Sequence, residues 1–323
     1  MGLDTIDRKL VNLVQKFPLV RQPYIELGEK LGISEAEVLR RIAGLRSEGI
    51  VRQISPVLDA ACLGYQTTLV AMRVAEDKLA ETERIISRHP GVSHGYERDN
   101  YYNLWFTMAA SPGADIYGEV QRLASAVKCE AVFSLPAVKR FKIGAYFDVG
   151  GDGSTHDAVQ PGSSSKDIAL PDLDKLVVNE LQQDLPLVSE PFNEMAVRLN
   201  MDVEGFLRCA RSLIERGVIR RFGAAVNHRR AGFKANAMTC WKVRADQVDA
   251  AGKELAALRE VSHCYERKTT PQWQYNLYAM IHGQNREFCR EVADRVSKRL
   301  GLGDPVQLFS TREFKKTRNR YPV

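Results

Sequence analysis

The chain lacks the features that would place it in a membrane, among secreted disulfide scaffolds or among zinc proteins. No apolar run approaches the roughly 18 residues that a membrane-spanning helix needs. The first residues lack a cationic stretch followed by an apolar one, so they do not form a secretory signal. Six cysteines are scattered without a Cys-x-x-Cys pair, which favours buried free thiols over zinc ligands or disulfides. We therefore expect a cytoplasmic protein with no membrane span and no metal site of its own.

Charge and composition give little guidance about the ligand. Hydrophobic residues make up 44% and charged residues 27% of the 323 positions, as in ordinary globular proteins. The formal net charge of +6 suits an anionic small molecule or a nucleic acid and does not choose between them. Residues 315–320 form a basic tail, for which a solvated terminus is one of the two readings that the sequence leaves open.

The most informative feature of the sequence is that it repeats itself. Two segments return in the same order at nearly constant separation: Gly49-Ile50-Val51-Arg52 as Gly217-Val218-Ile219-Arg220, and Val92-Ser93-His94-Gly95-Tyr96-Glu97-Arg98 as Val261-Ser262-His263-Cys264-Tyr265-Glu266-Arg267. Such a tandem duplication predicts an intramolecular pseudo-dimer, and the positions at which the halves differ become informative. Further association into a homodimer is also compatible with the sequence.

The hydrophobic pattern predicts the same two units in each half. Three short amphipathic helices followed by an extended segment indicate a winged helix-turn-helix over residues 1–60 and again over 171–228. A β-α-β-β-α-β pattern then indicates a ferredoxin-like unit over 61–148 and over 229–323. The Gly- and Ser-rich residues 149–170 between the halves are predicted to be a flexible linker. The predicted fold class is therefore α+β, built by tandem duplication.

Two histidines in the repeated strand segment are candidate catalytic groups. His94 and His263 each stand two residues before a tyrosine, Tyr96 and Tyr265, so that histidine and tyrosine share one strand face. A histidine on such a strand is more often structural, and a packing requirement common to both copies would also explain the repetition. Retention in both halves shifts the balance toward proton transfer, because imidazole gives and takes protons near neutral pH.

The second half alone carries a dense group of arginines around a third histidine. His228 stands among four of them, in chain order Arg220, Arg221, Arg229 and Arg230. The first half has Gln53 at the position of Arg221 and Ala60 at the position of His228. A planar guanidinium binds a carboxylate through two parallel hydrogen bonds, so the cluster predicts an anionic ligand. A solvated strand end with surface ion pairs is the alternative.

These motifs resemble the siroheme decarboxylases, in the arrangement where two subunit types are fused, and those enzymes in turn resemble the Lrp/AsnC regulators. The resemblance is carried by the run Arg220-Arg221-Phe222-Gly223-Ala224-Ala225-Val226-Asn227-His228-Arg229-Arg230 and by the two His-x-Tyr-Glu-Arg motifs. Each motif is followed by Tyr-Asn-Leu, at 102–104 and 275–277. The resemblance covers nearly the whole chain. It implies an Lrp/AsnC-type fold, with a winged helix-turn-helix and a ferredoxin-like domain in each half.

The resemblance also implies removal of the acetate carboxyls at C12 and C18 of siroheme, which yields 12,18-didecarboxysiroheme on a route to heme d1 or to heme. This chemistry uses a protonated pyrrole ring as the electron sink, so no cofactor is expected, and the iron belongs to the substrate. His228, His263 and His94 are the candidates for proton transfer or iron ligation. Contacts to the macrocycle and its carboxylates are expected from Arg220, Arg221, Arg229, Arg230, Arg267, Arg98, Tyr265, Trp273 and Tyr275. For Trp273 and Tyr275, ordinary packing is an equal alternative.

Differences between the halves predict one productive site per chain, mainly on the second half and completed by the first. Lys268 adds a cation where Asp99 adds an anion, so an acidic macrocycle should prefer the second half. We therefore expect the loss of His263 to damage turnover more than the loss of His94.

An Lrp/AsnC-type transcription regulator that responds to heme or a small ligand is the main alternative, and a catalytically inactive tetrapyrrole-binding partner is another. In the third helix, Ser34 is the predicted N-cap and Glu37 is predicted to complete a capping box. Glu35 and Glu37, with Asp202 and Glu204 in the second copy, lie where a helix-turn-helix reads DNA. Carboxylates there oppose binding to phosphates, so no specific DNA binding is expected.

Overall fold

The computed structural model describes residues 3–143, 170–227 and 235–323. Apart from Leu170, the predicted linker lies outside the described residues, and so do His228, Arg229 and Arg230. No helix in the described ranges is long and apolar enough to cross a membrane. All six cysteines are free thiols, as predicted, but only Cys240, Cys264 and Cys289 are buried, whereas the other three are half-buried.

The first half contains the elements that its hydrophobic pattern predicts. Its helical unit comprises α1 (Thr5–Val14), α2 (Pro23–Leu31), α3 (Glu35–Ser47) and the strand β1 (Val51–Leu58). Its second unit comprises β2 (Gln66–Arg73), α4 (Leu79–Arg88), β3 (Val92–Arg98), β4 (Leu104–Ala110), α5 (Ile116–Val127) and β5 (Ala131–Ile143). The β-α-β-β-α-β order is therefore confirmed.

The second half repeats this order. Its helical unit comprises α6 (Asp172–Leu181), α7 (Asn193–Arg198), α8 (Val203–Glu215) and the strand β6 (Ile219–Val226). Its second unit comprises β7 (Ala235–Trp241), α9 (Val248–Ala257), β8 (Val261–Arg267), β9 (Leu277–Gly283), α10 (Arg286–Leu300) and β10 (Val306–Lys316). The predicted α+β class and its duplication are confirmed.

Polar side chains at the starts of α3 and α8 either cap the helix or form ion pairs. Ser34 caps α3 by accepting a hydrogen bond from the Glu37 backbone N–H at 3.3 Å, as predicted. The prediction that Glu37 completes a capping box is wrong: its carboxylate binds Arg40 and Arg41 instead. Two guanidinium groups offer it charge-assisted bonds, which are stronger than a bond to one backbone N–H. Asp202 caps α8 through a backbone N–H of the first turn at 2.8 Å.

The helical units of the two halves share one hydrophobic core, to which residues of α1–α3 and α6–α8 all contribute. β1 and β6 pair antiparallel across the two halves. Two backbone bonds extend this pairing symmetrically, from the Phe17 N–H to the Phe222 carbonyl at 3.0 Å and from the Leu185 N–H to the Ile54 carbonyl at 3.1 Å. Each helical unit thus completes the other, as expected for an intramolecular pseudo-dimer.

The ferredoxin-like units close into one eight-stranded barrel, in the order β10-β3-β4-β2-β5-β8-β9-β7. The halves meet at two seams, where β5 pairs with β8 and β10 pairs with β3. Helices α4 and α5 cover the outside of the first sheet, and α9 and α10 cover the outside of the second. The inner face carries an aromatic cluster that includes Trp105, Phe133, Trp273 and Tyr278. The last strand of each half therefore pairs with an edge strand of the other half and closes the barrel.

Candidate functional site

His94 and His263 both face the inside of the barrel. The register places Tyr96 of β3 and Tyr265 of β8 directly opposite residues of the inner aromatic cluster. Side chains two positions apart on a strand share one face, so each histidine points the same way as its tyrosine. The shared strand face predicted from the two His-x-Tyr motifs matches this register.

Each imidazole has a hydroxyl partner, and the second half adds another ring. The Nδ1 atoms of His94 and His263 lie 2.9 Å from the hydroxyls of Ser93 and Ser262, respectively. The Ser262 hydroxyl also lies 2.6 Å from Nε2 of His282, which is buried on β9. A hydroxyl can donate to one nitrogen while accepting from another. His263, Ser262 and His282 therefore form a continuous hydrogen-bonded chain.

The two imidazoles lie among cations at the end of the barrel that faces β1 and β6. Burial, as the largest cause, and the charges of Lys316, Arg52 and Arg318 together lower the pKa of His94 to about 4. Burial likewise lowers the pKa of His263 to about 3, with His94 as the next cause, followed by neighbouring cations. His94 therefore lies close enough to His263 to lower its pKa. Both rings are neutral at pH 7 in the free protein.

These lowered pKa values predict how stability depends on pH. Both histidines bind their protons more weakly in the folded chain than in the unfolded chain, where the pKa is 6.5. Stability should therefore be highest above that value and should fall as the pH drops toward the folded-state pKa values. We expect the Tm to be lower at about pH 5 than at about pH 7.5, and we expect the double variant His94→Gln/His263→Gln to lose less Tm over that interval. An unchanged pH dependence in the double variant would contradict this assignment.

Arg220 is held next to Tyr265 by a buried carboxylate. Asp59, which follows β1, binds Arg140 at 2.9 Å and also binds Arg220. Burial alone would raise the pKa of Asp59, but Arg140 and Arg220 hold it below its usual value. Both arginines lie close enough to Tyr265 to influence its hydroxyl. The trio therefore brings residues of both halves to the edge of the candidate site.

The pseudo-equivalent corner next to Tyr96 has a different charge arrangement. Arg52, the counterpart of Arg220, binds Glu313 at 3.1 Å and donates to the Lys316 carbonyl at 3.2 Å. Lys316 itself lies opposite His94 across the seam, with Glu313 opposite Tyr96. The predicted residue Arg221 lies opposite β1 in the β1–β6 pair, and its charge lowers the pKa of His263. Basic residues of both halves therefore surround the histidine pair.

Arg98 and Arg267 are placed symmetrically at the two seams. Each donates from Nη1 to a carbonyl of the other half's last strand, at 2.7 Å for Arg98 and 2.8 Å for Arg267. Each guanidinium also stacks on the tyrosine of its own motif, 5.2 Å from the Tyr96 ring centre and 4.8 Å from that of Tyr265. The two arginines thus hold the tyrosines and close the barrel. Their predicted contact with substrate stays a prediction.

Trp273 and Tyr275 lie away from the histidine pair. Trp273 belongs to the inner aromatic cluster, donates to the Tyr278 hydroxyl at 2.9 Å and is only 6% exposed. Tyr275 packs against Trp273 and lies beneath the Lys242 ammonium. Core packing accounts for the position of Trp273, whereas stacking of either ring on a macrocycle stays a prediction.

His228, Arg229 and Arg230 lie on the connection between β6 and β7, outside the described residues. A cavity of about 330 Å³ lies beside the start of α10 and is lined by none of the predicted site residues. The histidines and the charges around them therefore define the candidate site.

Four basic residues that the fold brings to this end of the barrel were not among the predicted site residues. They are Arg52, Arg140, Lys316 and Arg318. Arg52 lies before β3, Arg140 lies between β3 and β8, and Lys316 and Arg318 follow both strands, so only the tertiary fold brings them together. The basic tail, which contains Lys316 and Arg318, was visible in the sequence, but its contacts were not predictable from it.

A duplicated AsnC-like architecture with a basic, histidine-bearing barrel end is the class that the fold and site define. Two family models match both halves. An AsnC-like ligand-binding domain matches residues 62–142 and 230–315, and a siroheme decarboxylase NirDL-like helix-turn-helix domain matches residues 7–52 and 174–220. The siroheme decarboxylase of Hydrogenobacter thermophilus is 39% identical over 97% of this chain and 94% of its own length. The chain belongs to the siroheme decarboxylase family.

Separate subunits and solved structures show the same relationship. The beta subunit from Methanosarcina barkeri is 40% identical over 42% of this chain and 90% of its own length. The alpha subunit from Desulfovibrio desulfuricans is 36% identical over 46% of this chain and 87% of its own length. The crystal structure of the siroheme decarboxylase NirDL is 35% identical, covers 98% of this chain and 94% of that one, and has a TM-score of 0.72. A second crystal structure of NirDL, in complex with an iron-uroporphyrin III analogue, has a TM-score of 0.71, is 35% identical and covers 99% of this chain and 95% of that one.

Proposed function

We propose that this chain is a carboxy-lyase that removes the acetate carboxyls at C12 and C18 of siroheme and releases 12,18-didecarboxysiroheme. The observation that carries the proposal is similarity along the full chain to siroheme decarboxylases, at 39% identity over 97% of its length. The basic surroundings of His94 and His263 support it, because siroheme carries many carboxylates and needs cations around it.

The first expected event is a change of protonation when the substrate binds. In the free protein, burial and neighbouring cations keep His94 and His263 neutral. A polyanionic substrate neutralises those cations, which removes one cause of the lowered pKa values. Either imidazole can then take a proton where the substrate needs one. Through the Ser262 hydroxyl, His263 can exchange that proton with Nε2 of His282.

The chemical step follows from this proton supply. Protonation of the pyrrole ring beside the acetate-bearing carbon makes the ring an electron sink. The bond between the methylene and the carboxylate then breaks, its electrons enter the ring and carbon dioxide leaves. The exocyclic methylene takes a proton to become a methyl group, and the ring proton returns to the imidazole. Each decarboxylation consumes one proton and needs no oxidant, so we propose no cofactor; the iron belongs to the substrate.

Product analysis tests the proposed function. The purified chain is incubated with siroheme under anaerobic conditions, and the tetrapyrrole is analysed by mass spectrometry. We expect the loss of two molecules of carbon dioxide with the iron retained. Siroheme that is bound but recovered with unchanged mass would identify an inactive tetrapyrrole-binding protein instead and would contradict the proposal.

We also expect weak and unspecific DNA binding, which distinguishes the chain from a regulator. The acidic side chains of Glu37 on α3 and Asp202 at the start of α8 stay in place through structural bonds. They therefore remain where phosphates would approach, and affinity for duplex DNA depends on cations. Gel-shift titration against the upstream region of its own operon checks this. Nanomolar, sequence-dependent binding at physiological salt would contradict the proposal and favour a regulator.

A further inference from the structure

The residues after β10 form a strap that is bound along both helical units. This C-terminal strap, residues 317–323, begins where the Thr317 N–H donates to the Ser93 carbonyl at 2.8 Å, next to His94. Farther along, Gln182 of the second half bonds the Tyr321 backbone at both its N–H and its carbonyl. The Tyr65 hydroxyl of the first half donates to the Pro322 carbonyl at 2.9 Å. The solvated terminus considered from the sequence is therefore not what the structure contains.

Arg318 of this strap is fixed at the pairing of β1 and β6. Its Nη1 contacts both oxygens of Ser55 and the Pro56 carbonyl, and its Nη2 donates to the Gly223 carbonyl at 3.0 Å. Ser55 and Gly223 lie opposite each other and stand at the same separation as Gly49 and Gly217 of the repeat. They are therefore equivalent positions, and their pairing marks the pseudo-two-fold axis of the molecule.

The charge of Arg318 has no bound carboxylate among the described residues. Its hydrogen-bond acceptors are three carbonyls and one hydroxyl, which leave the Nε–H and one Nη2–H without a described acceptor. Burial, as the largest cause, and the charge of Arg221 lower the pKa of Arg318 to about 9, and the charge of Asp184 opposes this shift. Asp184 itself binds Arg46 and the Ile54 backbone. A half-buried cation with two free donors favours an anion that docks from outside the protein.

Two equivalent side chains cannot both occupy the same place on a two-fold axis. One half alone therefore supplies the side chain there, and in this chain it is the second half. Lys316 lies opposite His94 and Ile143 lies opposite His263, so Arg318 corresponds to Ala145 in the first half. Ala145 lies outside the described residues, but an alanine has no charge to contribute. Arg318 is therefore a cation near the histidine pair that has no basic counterpart in the first half.

We propose that Arg318 is an anchoring residue that binds one carboxylate of the tetrapyrrole and so positions the macrocycle between His94 and His263. This inference rests on the proposed function. The carboxylate is one that the reaction retains. A cation paired with a departing carboxylate would stabilise it before the reaction more than during its loss, and would oppose decarboxylation. A retained carboxylate, in contrast, contributes equally to substrate and product binding.

The test compares Arg318→Met with wild-type protein in binding and in turnover. Binding of iron uroporphyrin III, followed by its absorption spectrum, should weaken about 10- to 100-fold, the range for a charge-assisted hydrogen bond. Binding of the didecarboxylated product should weaken by the same factor, because the carboxylate is retained. The KM for siroheme should rise while kcat stays within about threefold, as expected for the loss of uniform binding.

Arg320→Met is the matched control, because Arg320 is an exposed arginine on the same strap and its removal changes the net charge equally. It should bind iron uroporphyrin III as wild-type protein does. Arg318→Lys keeps the charge but loses the planar guanidinium that donates two parallel hydrogen bonds, so its Kd should be intermediate. This variant replaces Arg318→Met if Arg318→Met does not fold. An unchanged Kd for both Arg318 variants would overturn the proposal, and so would a fall in kcat without a change in Kd. Wild-type protein that binds iron uroporphyrin III through Arg318 but leaves siroheme intact would instead overturn the proposed function alone.

Discussion

His263→Ala should lower the turnover of siroheme by about 10²- to 10⁴-fold, the range for loss of a general acid–base group, and should damage turnover more than His94→Ala. Both histidines face the barrel interior and both are neutral in the free protein. Only His263 continues through Ser262 to a second imidazole, that of His282. The first-half position equivalent to His282 is Ala109, so His94 has no such connection.

Steady-state decarboxylation by the two alanine variants measures this difference, with far-ultraviolet circular dichroism to confirm that both fold. Ser262→Ala is the matched control, because it keeps His263 and removes its link to His282. Its turnover should fall between that of wild-type protein and that of His263→Ala. If His94→Ala proves more damaging, the reacting acetates lie against the first half and our assignment of the halves is reversed.

His228→Ala should retain the fold and lose most turnover, again by about 10²- to 10⁴-fold. The reason lies in the sequence: the second half keeps a histidine among four arginines where the first half has Ala60. Arg221 lies on β6 just before this segment, and its charge lowers the pKa of His263.

The matched control for His228 is His156→Ala. His156 lies in the Gly- and Ser-rich segment between the halves, so its replacement removes an imidazole without touching the arginine cluster. His156→Ala should turn over siroheme at the wild-type rate. Wild-type turnover by His228→Ala would exclude His228 as the principal acid or iron ligand, and would leave that role to the barrel histidines.

Local sequence patterns were enough to predict each unit of the fold. Helical spacing in α1–α3 and alternation in β3 are properties of neighbouring residues, and duplication gave two independent readings of each. The shared face of His94 and Tyr96 followed from the period of a strand alone. Closure of the barrel was not predictable in this way. The seams join β5 to β8 and β10 to β3, and no local pattern specifies which strand edges of the two halves meet.

Because the seam register could not be predicted, the basic residues next to the histidines could not be predicted either. Lys316 lies opposite His94, and Arg140 lies opposite Tyr265, only because of the seam register. The sequence argument that Asp99 repels an acidic ligand also lacked its tertiary context, since Asp99 binds Arg286 at 2.7 Å. The preference for the second half therefore depends more on the Ser262–His282 chain than on that charge.

The central claim is that both halves build one tetrapyrrole site at the end of the barrel where His94 and His263 meet. A crystal structure of this chain with iron uroporphyrin III tests it most directly. We expect one macrocycle per chain, with its edge against both histidines and a carboxylate on Arg318. A macrocycle bound elsewhere, or one bound to each half without contact to the other half's histidine, would contradict the account.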